Sequence, residues 1–571
     1  MSRETEDRVE GRPWWVLPVW ALICGVVRFL TYPPVGWSGL GWITPALIAF
    51  PAVLLTSKGD GGYWRHSWGR GLLFSWLGGV LFYWSSLAWL RHATLPGFLL
   101  LGLYIGLFPM AFYAGVRVAA GCFRPADSVV GRLLLAGYGA SVWVVTEWAQ
   151  AHFLTGLPWK PACCIAGRFH RPDFRSRSGR ESYGVSWIIS AVSLLLFFSI
   201  WRMIRERRTL GRQPQYEFHC AMLILVLDLA MGVQCMTRWR TGNGYQEGAK
   251  LPISVVQGAV PQEVKAKGLE DDVVRERYLH YSKLAIASGS KFVIWPESAA
   301  PIPILNDPLT YTRLQAMAQP AGTGVLIGTL ETVYTGVDTE AEYYNSAYLL
   351  EPDGRMFQFY RKIHIVPFGE FIPFEKQLPW MAKLIPIPGS LTRGREYVKM
   401  ELDLGGGEVL QFPVLICFED IVPHHVRRYI QPGVGLLVNI TNDGWFKRTA
   451  APWQHAANAR FRCVENRLPM VRSANTGLSC VIDRTGVLRN YFATDPEGRD
   501  IYGEGTATWS VQTGAMGADA LTFYTRHGDL FALGCTLIVG LGLVPAVAGA
   551  IRARRRSVQA EADAAEFEAR A

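Results

Sequence analysis

Apolar residues are not spread evenly along this chain; they come in long runs separated by short polar stretches. Seven runs fall in the first 240 residues, at roughly Trp14–Thr31, Trp37–Leu55, Gly71–Leu90, Pro96–Ala119, Val129–Ala151, Gly184–Ile204 and His219–Met236, and an eighth lies at about Leu530–Ile551. Each is about 17–25 residues, the length a helix needs to cross the hydrocarbon core of a bilayer. One such run can be a buried core helix; eight together predict an integral membrane α-helical bundle. Between Gly242 and Thr525 no run is that long. There, Leu251–Gln257, Lys291–Trp295, Gly324–Gly328, Tyr344–Glu351, Val409–Cys417 and Gly435–Ile440 read as strands. Asp271–Ala287, with Val274, Tyr278, Tyr281 and Leu284 at helical spacing, and Trp453–Glu465 read as helices. Strands alternating with helices predict an α/β layered domain. The expected organisation is a membrane region with seven helices over 1–241, a domain outside the membrane over 242–526, and an eighth helix with a basic tail over 527–571.

Composition now has a reading. The 571 residues are 50% hydrophobic and 18% charged, against about 25% charged in an ordinary soluble chain, because eight spans are averaged with one polar domain. Disorder is excluded by so much apolar and aromatic surface, and ten Cys are too sparse for a small disulfide scaffold. The polar start (Glu4, Glu6, Asp7, Arg8, Arg12) lacks the short apolar core and small-residue cleavage site of a signal peptide, so the first run reads as an uncleaved span.

Orientation follows from Lys and Arg in the short loops. With the N-terminus inside, inside segments hold 16 such residues and outside loops 7, six of the latter in one loop (Lys160, Arg168, Arg171, Arg175, Arg177, Arg180). Seven preceding spans place the polar domain outside; the eighth returns the tail to the cytoplasm. The net charge of +10 is then the arginine flanking of the spans, which meets anionic headgroups. A nucleic-acid partner is not expected, since the aromatics lie mostly in the spans rather than among basic residues of the outer domain.

Three strand ends in that domain carry reactive residues. Pro296 and Glu297 follow Lys291–Trp295; Cys417, Phe418, Glu419 and Asp420 follow a second strand; between them runs Tyr360–Glu370, YRKIHIVPFGE. A Cys at a strand-to-helix turn is well placed as a nucleophile, but attack requires the thiolate, scarce at neutral pH for an unperturbed thiol. A carboxylate able to take the proton and a Lys able to offset charge developing on a carbonyl oxygen complete a set sufficient for acyl transfer. Taken singly, each has a plainer reading: a buried Cys, a turn, a solvated charge. Spacing alone does not choose.

The words around these residues add to this. WPES (Trp295–Ser298), YRKIHIVPFGEFIP (Tyr360–Pro373), ICFED (Ile416–Asp420) and NDGWF (Asn442–Phe446) resemble the nitrilase, or carbon–nitrogen hydrolase, superfamily. Together with the membrane runs, VQG (Val256–Gly258), YPPVGW (Tyr32–Trp37), TGLPW (Thr155–Trp159) and Gln454–Gly477, they resemble its membrane branch, the apolipoprotein N-acyltransferase family. That resemblance implies a nitrilase-like αββα sandwich and a triad of Glu297 as general base, Lys362 at the oxyanion and Cys417 as the nucleophile that becomes a thioester. Glu370, Glu419 and Phe418 would support the site, and Trp295, Phe368 and Trp445 are candidate substrate-lining residues. It further implies a phospholipid acyl donor, a diacylglyceryl-modified lipoprotein acceptor, membrane lipids as surroundings, and a monomer in the bacterial inner membrane with the catalytic domain on the periplasmic side. No Cys/His spacing suggests a metal site and no P-loop or dinucleotide fingerprint appears, so no metal or other cofactor is expected. Two rivals share much of the pattern: a membrane-anchored amidase or nitrilase, and a non-catalytic transport or sensor protein with a nitrilase-like domain.

The chain departs from the family pattern at Ala259 after VQG, Lys265-Ala266 where a Trp is common, Phe418 for the usual Tyr, Lys447 after NDGWF, and the basic loop 160–184 with Cys163 and Cys164. Cys463 and Cys480 are expected as buried thiols rather than a pair, His424, His425 and His455 as surface or packing residues, and Arg460, Arg462, Arg467 and Arg472 as salt-bridge partners. Arg28 and Asp228, inside apolar runs, are functional candidates.

Overall fold

A computed structural model describes residues 15–54, 68–159, 182–205, 214–240, 245–267, 270–334, 341–372 and 389–545, with isolated positions at 375–380 and 548–551. The basic loop over 160–181 and both chain ends lie outside the described residues. Helices occupy all eight predicted places: α1 (Val16–Leu30), α2 (Thr44–Leu54), α3 (Trp68–Ser86), α4 (Leu95–Ile105), α5 (Leu107–Phe123), α6 (Val129–His152), α7 (Ser182–Arg205), α8 (Tyr216–Arg240), and a last helix over Leu530–Pro545.

The expectation of eight membrane-length helices is met in part. Among the described residues four are long and apolar enough to cross a membrane: Leu95–Phe123, Val129–His152, Ser182–Arg205 and Tyr216–Gln234. Val16–Leu30, Ser38–Val53 and Leu530–Pro545 are apolar but shorter. The run predicted as one span at 96–119 is broken at Gly106, because Pro109 has no N–H to give the carbonyl of Ile105. Tight helix contact shapes the bundle: a Cβ at Gly79 would sit 3.0 Å from the Gly106 carbonyl. Arg28 stays buried among rings, its guanidinium 4.2 Å from the centre of Phe82, instead of reaching toward the membrane surface.

The segment that follows is a two-sheet sandwich. Its strands are β1 (Tyr245–Gln257), β2 (Phe292–Ile294), β3 (Gly324–Tyr334), β4 (Ala341–Leu350), β5 (Gln358–Arg361), β6 (Met400–Gly405), β7 (Glu408–Phe412), β8 (Val414–Ile416), β9 (Leu437–Thr441), β10 (Met470–Ala474), β11 (Cys480–Ile482), β12 (Leu488–Tyr491) and β13 (Gly505–Met516). One sheet has the order β13-β1-β2-β3-β4-β5, the other β12-β11-β10-β9-β8, and β6-β7 form a small ribbon. The predicted strand Val409–Cys417 is two strands, because Pro413 cannot donate to a ladder and the chain changes sheets there.

Alternation sorts side chains between layers. Ile253, Val255, Phe292, Ile294 and Leu326 face the second sheet's Val414, Val438 and Ile440. Val256, Val293, Val325 and Ile327 face outward against the helices Asp271–Ala287 and Pro308–Ala321. Beyond the second sheet lies the helix Ala451–Asn466. Ile421, Val422 and Ala451, with Phe418 and Phe446 at the margin, belong to the apolar cluster of the bundle, so the sandwich is seated on the membrane helices by the face that carries the strand-end turns.

Candidate active site

Cys417 begins a turn directly after β8 and has a φ of +54°, a conformation that L residues rarely adopt and that holds a side chain on a sharp corner. Glu419, two residues on, explains how the corner is kept. Its side chain is fully buried; Oε2 accepts the N–H of Ile416 at 2.8 Å, while Oε1 accepts the N–H groups of Ile363 (2.8 Å) and His364 (2.9 Å) and the hydroxyl of Tyr360 (2.7 Å). One carboxylate thus ties the Cys417 turn to the segment beside Lys362. Burial alone would push the Glu419 carboxyl up, but facing His425, and the N–H groups of His364 and Ile416, hold it down to about 2.

Lys362 leaves the end of β5 and is 1% exposed. Its Nζ donates to Glu370 Oε1 at 2.7 Å and lies 3.6 Å from Glu297 Oε1. Burial opposes the charge, but Glu370, Glu297 and Cys417 outweigh it and raise the ammonium pKa. Glu370 is held by its own turn, Oε2 accepting the N–H of Val366 at 2.8 Å. Glu297 follows β2 through Pro296. Gly328 is required there, since a Cβ would come 2.0 Å from the Pro296 carbonyl. Asn345 Nδ2 donates to Glu297 Oε1 at 2.7 Å, and the N–H of Asn442 to Oε2 at 2.8 Å.

The Cys417 thiol pKa is raised, first by burial, then by the charges of Glu297 and Asp443, against the lowering effect of Lys362 and of Thr441, whose hydroxyl donates to Sγ at 3.3 Å. The resting group is therefore a thiol that needs a base, with a carboxylate and an ammonium acting on it.

Among the predicted residues, Glu297, Lys362, Glu370, Cys417 and Glu419 come together. Phe418 stacks on His364 (5.6 Å between ring centres) and faces Trp159 of the bundle (6.5 Å). Phe368 and Trp445 sit on exposed turns. Trp295 does not line the site. It is fully buried in the outer layer against Tyr278, and its Nε1 donates to Ser282: it continues the outward face of Val293, whereas the strand ends at Ile294 and the chain turns through Pro296 before Glu297.

Of the histidines expected as surface or packing residues, His425 and His455 are packing ones, each 3% exposed and set against carboxylates, His425 Nε2 being 3.2 Å from Glu419; His424 is half-buried. Arg472 pairs with Asp420 and Arg462 with Glu465, as expected. Cys463 and Cys480 are buried free thiols. Sequence reading missed Asn345, Thr441, Asn442 and Lys265, whose Nζ donates to the Ser298 carbonyl at 3.0 Å. Only the Asn of NDGWF and the Lys at a departure point carried any signal.

Residues 253–503 match the carbon-nitrogen hydrolase family, and residues 24–163 match the apolipoprotein N-acyltransferase N-terminal domain. The apolipoprotein N-acyltransferase of Geobacter metallireducens is 32% identical over 94% of this chain and 95% of its own length. The chain belongs to the apolipoprotein N-acyltransferase family. The family member from Chlorobaculum tepidum is 29% identical over 95% of this chain and 98% of its own. Among solved structures, Saccharomyces cerevisiae Nit3, a member of branch 10 of the nitrilase superfamily, aligns at 15% identity with a TM-score of 0.34, over 49% of this chain and 96% of its own.

Proposed function

We propose that this N-acyltransferase works by a ping-pong mechanism through a thioester on Cys417. The observation that carries the reading is a buried Lys362 between Glu370 and Glu297, with a raised-pKa thiol on a left-handed turn beside them. Sγ attacks the ester carbonyl of a membrane phospholipid while Glu297 takes its proton. Charge on the carbonyl oxygen is offset by the Lys362 ammonium. The C–O bond breaks, Glu297 returns the proton to the leaving alkoxide, and a lysophospholipid departs. In the second half, the α-amine of a diacylglyceryl-cysteine at a lipoprotein N-terminus attacks the thioester. The amine's proton passes to Glu297, the C–S bond breaks, and the thiol is restored as the amide product leaves. Glu370 keeps Lys362 in place, Glu419 fixes the turn, and Phe418, Phe368 and Trp445 line the approach. This is the last step of lipoprotein maturation.

All eight helical segments span the bacterial inner membrane, the shorter ones serving as spans within the packed bundle. The N-terminus and basic tail are cytoplasmic and the sandwich is periplasmic. The protein acts as a monomer among membrane lipids, and its seat on the bundle brings both lipid substrates to the Cys417 turn.

Adding a diacylglyceryl-cysteine peptide to the acylated enzyme separates acyl transfer from the hydrolase alternative. The expected product is an N-acyl amide. Free fatty acid alone, with peptide present in excess, would identify a membrane-anchored hydrolase instead. External labelling of cysteines placed in the 160–181 loop tests orientation; labelling only after the membrane is opened would reverse it.

A further inference from the structure

Two adjacent residues on the helix Ala451–Asn466 make their side-chain hydrogen bonds to different halves of the molecule, although the His455 ring also lies 5.7 Å from that of Trp159. Gln454 is 2% exposed, and every hydrogen-bonding position of its amide is used by the bundle. Oε1 accepts the indole N–H groups of Trp89 (3.0 Å) and Trp159 (3.4 Å). Nε2 donates to the carbonyls of Pro33 (2.9 Å) and Ser86 (3.2 Å). An amide offers two donors and two acceptor sites, so Gln454 is saturated by four partners from three stretches of the membrane region, at Pro33, Ser86–Trp89 and Trp159.

His455 points toward the nucleophile's supports. Its Nε2 lies 2.9 Å from Asp420 Oδ1 and its Nδ1 3.1 Å from Asp443 Oδ1. Asp420 belongs to the turn that Cys417 begins, and its other oxygen is held by the fully buried Arg472. Asp443 is two residues past Thr441, whose hydroxyl donates to Cys417 Sγ. Both walls of the thiol's surroundings are therefore clamped by the residue next to the one that reads the bundle.

We propose that Gln454 and His455 are a positioning pair that makes the geometry of the Cys417 turn depend on the seating of the catalytic domain on the membrane helices. A buried amide that loses its partners is costly, because no water replaces them, so the pair favours a fully seated state over partial ones. The consequence is functional. A thioester is vulnerable to water, and a nucleophile assembled only when the domain is docked on the bundle forms it only where lipid is supplied. The inference rests on Cys417 being the acylated residue, but its central element, seating controlling thiol reactivity, is measured without lipid chemistry.

The test uses the full chain purified in detergent, as wild type, Gln454→Leu, and the milder Trp89→Phe, which removes one of the two donors to Oε1. Two rates are read on the folded fraction: alkylation of Cys417 by iodoacetamide, a small water-soluble probe, and acylation by phospholipid followed by mass spectrometry. The expected result is a parallel loss, roughly tenfold in both rates for Gln454→Leu, about 1.4 kcal/mol of barrier, and a smaller loss in both for Trp89→Phe. Should Gln454→Leu not fold, Trp89→Phe carries the comparison. Wild-type iodoacetamide reactivity in the variants, whatever happens to thermal stability or lipid acylation, would make Gln454 a mere anchor and overturn the proposal. A wild type that alkylates but never acylates would sink the acyltransferase mechanism instead, leaving the alkylation arm to judge the pair.

Discussion

Lys362 is hydrogen-bonded to Glu370 and not to Glu297: Nζ lies 2.7 Å from the first carboxylate and 3.6 Å from the second. The nearer partner takes up the ammonium, while Glu297 is held by neutral donors, Asn345 and the N–H of Asn442, and so remains available to accept a proton. Glu370→Gln keeps an acceptor for Lys362 but removes the charge. Lys362 then turns to Glu297 and ties up the base. Thioester formation in a single turnover should fall roughly 10²-fold or more with the thermal midpoint little changed; an unaltered rate would show that Glu370 does not hold Lys362 away from Glu297.

Glu297→Gln separates acidity from catalysis. Burial and the negative charges of Glu297 and Asp443 raise the Cys417 thiol pKa. Removing one of those charges must lower it, so the pH midpoint of Cys417 alkylation should move down. Acylation by phospholipid should nevertheless drop on the order of 10²–10⁴-fold, the range for loss of a positioned base. A variant whose alkylation midpoint rises would reverse the sign assigned to Glu297.

Glu419 links stability to pH. Its carboxyl is held down to about 2 in the folded protein, against about 4.3 for an unfolded Glu. A depressed folded value contributes stability that is complete above the unfolded value and is lost as pH falls from about 4.3 through about 2. Wild type should therefore lose thermal stability across that window. Glu419→Gln should lack this part of the pH dependence and be destabilised at neutral pH by on the order of 3 kcal/mol or more, because an amide nitrogen or an uncharged oxygen then faces buried N–H groups. Unfolding midpoints followed from pH 6 to pH 2 decide it; parallel curves for the two proteins would contradict the role of Glu419.

Trp295, although part of the WPES word, belongs to the scaffold. Trp295→Phe removes the donor to Ser282 and leaves space beside Tyr278, which should cost about 1–3 kcal/mol. Acylation per folded molecule should stay at the wild-type rate. Altered acyl-chain preference would instead place this ring in contact with substrate.

Long periods were easy to read and short ones were not. Eight helical places were legible because each is a sustained apolar run, and the helix Asp271–Ala287 was recovered with its observed ends. Span count was harder, because several helices are shorter than their apolar sequence. The split of Val409–Cys417 at Pro413 was hidden because both pieces are equally apolar. In the site, charged residues inside distinctive words stood out, whereas Asn345 and Thr441 lie mid-strand or at a strand end with nothing in their neighbours to mark them. His455 and Gln454 sit in a word that was recognised as a whole, yet only the folded chain shows that one faces the nucleophile's supports and the other the bundle. Trp295 is the opposite case: two residues apart on a regular strand, it and Glu297 would share a face, but the strand ends at Ile294, so the Pro296 turn parts them and nothing in the sequence marks that end.

The most direct measurement is the mass of the Cys417 peptide after incubation of the purified protein with phospholipid alone. A fatty-acyl adduct on Cys417, released by hydroxylamine and missing from Cys417→Ala, is the expected result. An unmodified Cys417 in folded wild type, or an adduct that persists in Cys417→Ala, would contradict a thioester at this residue.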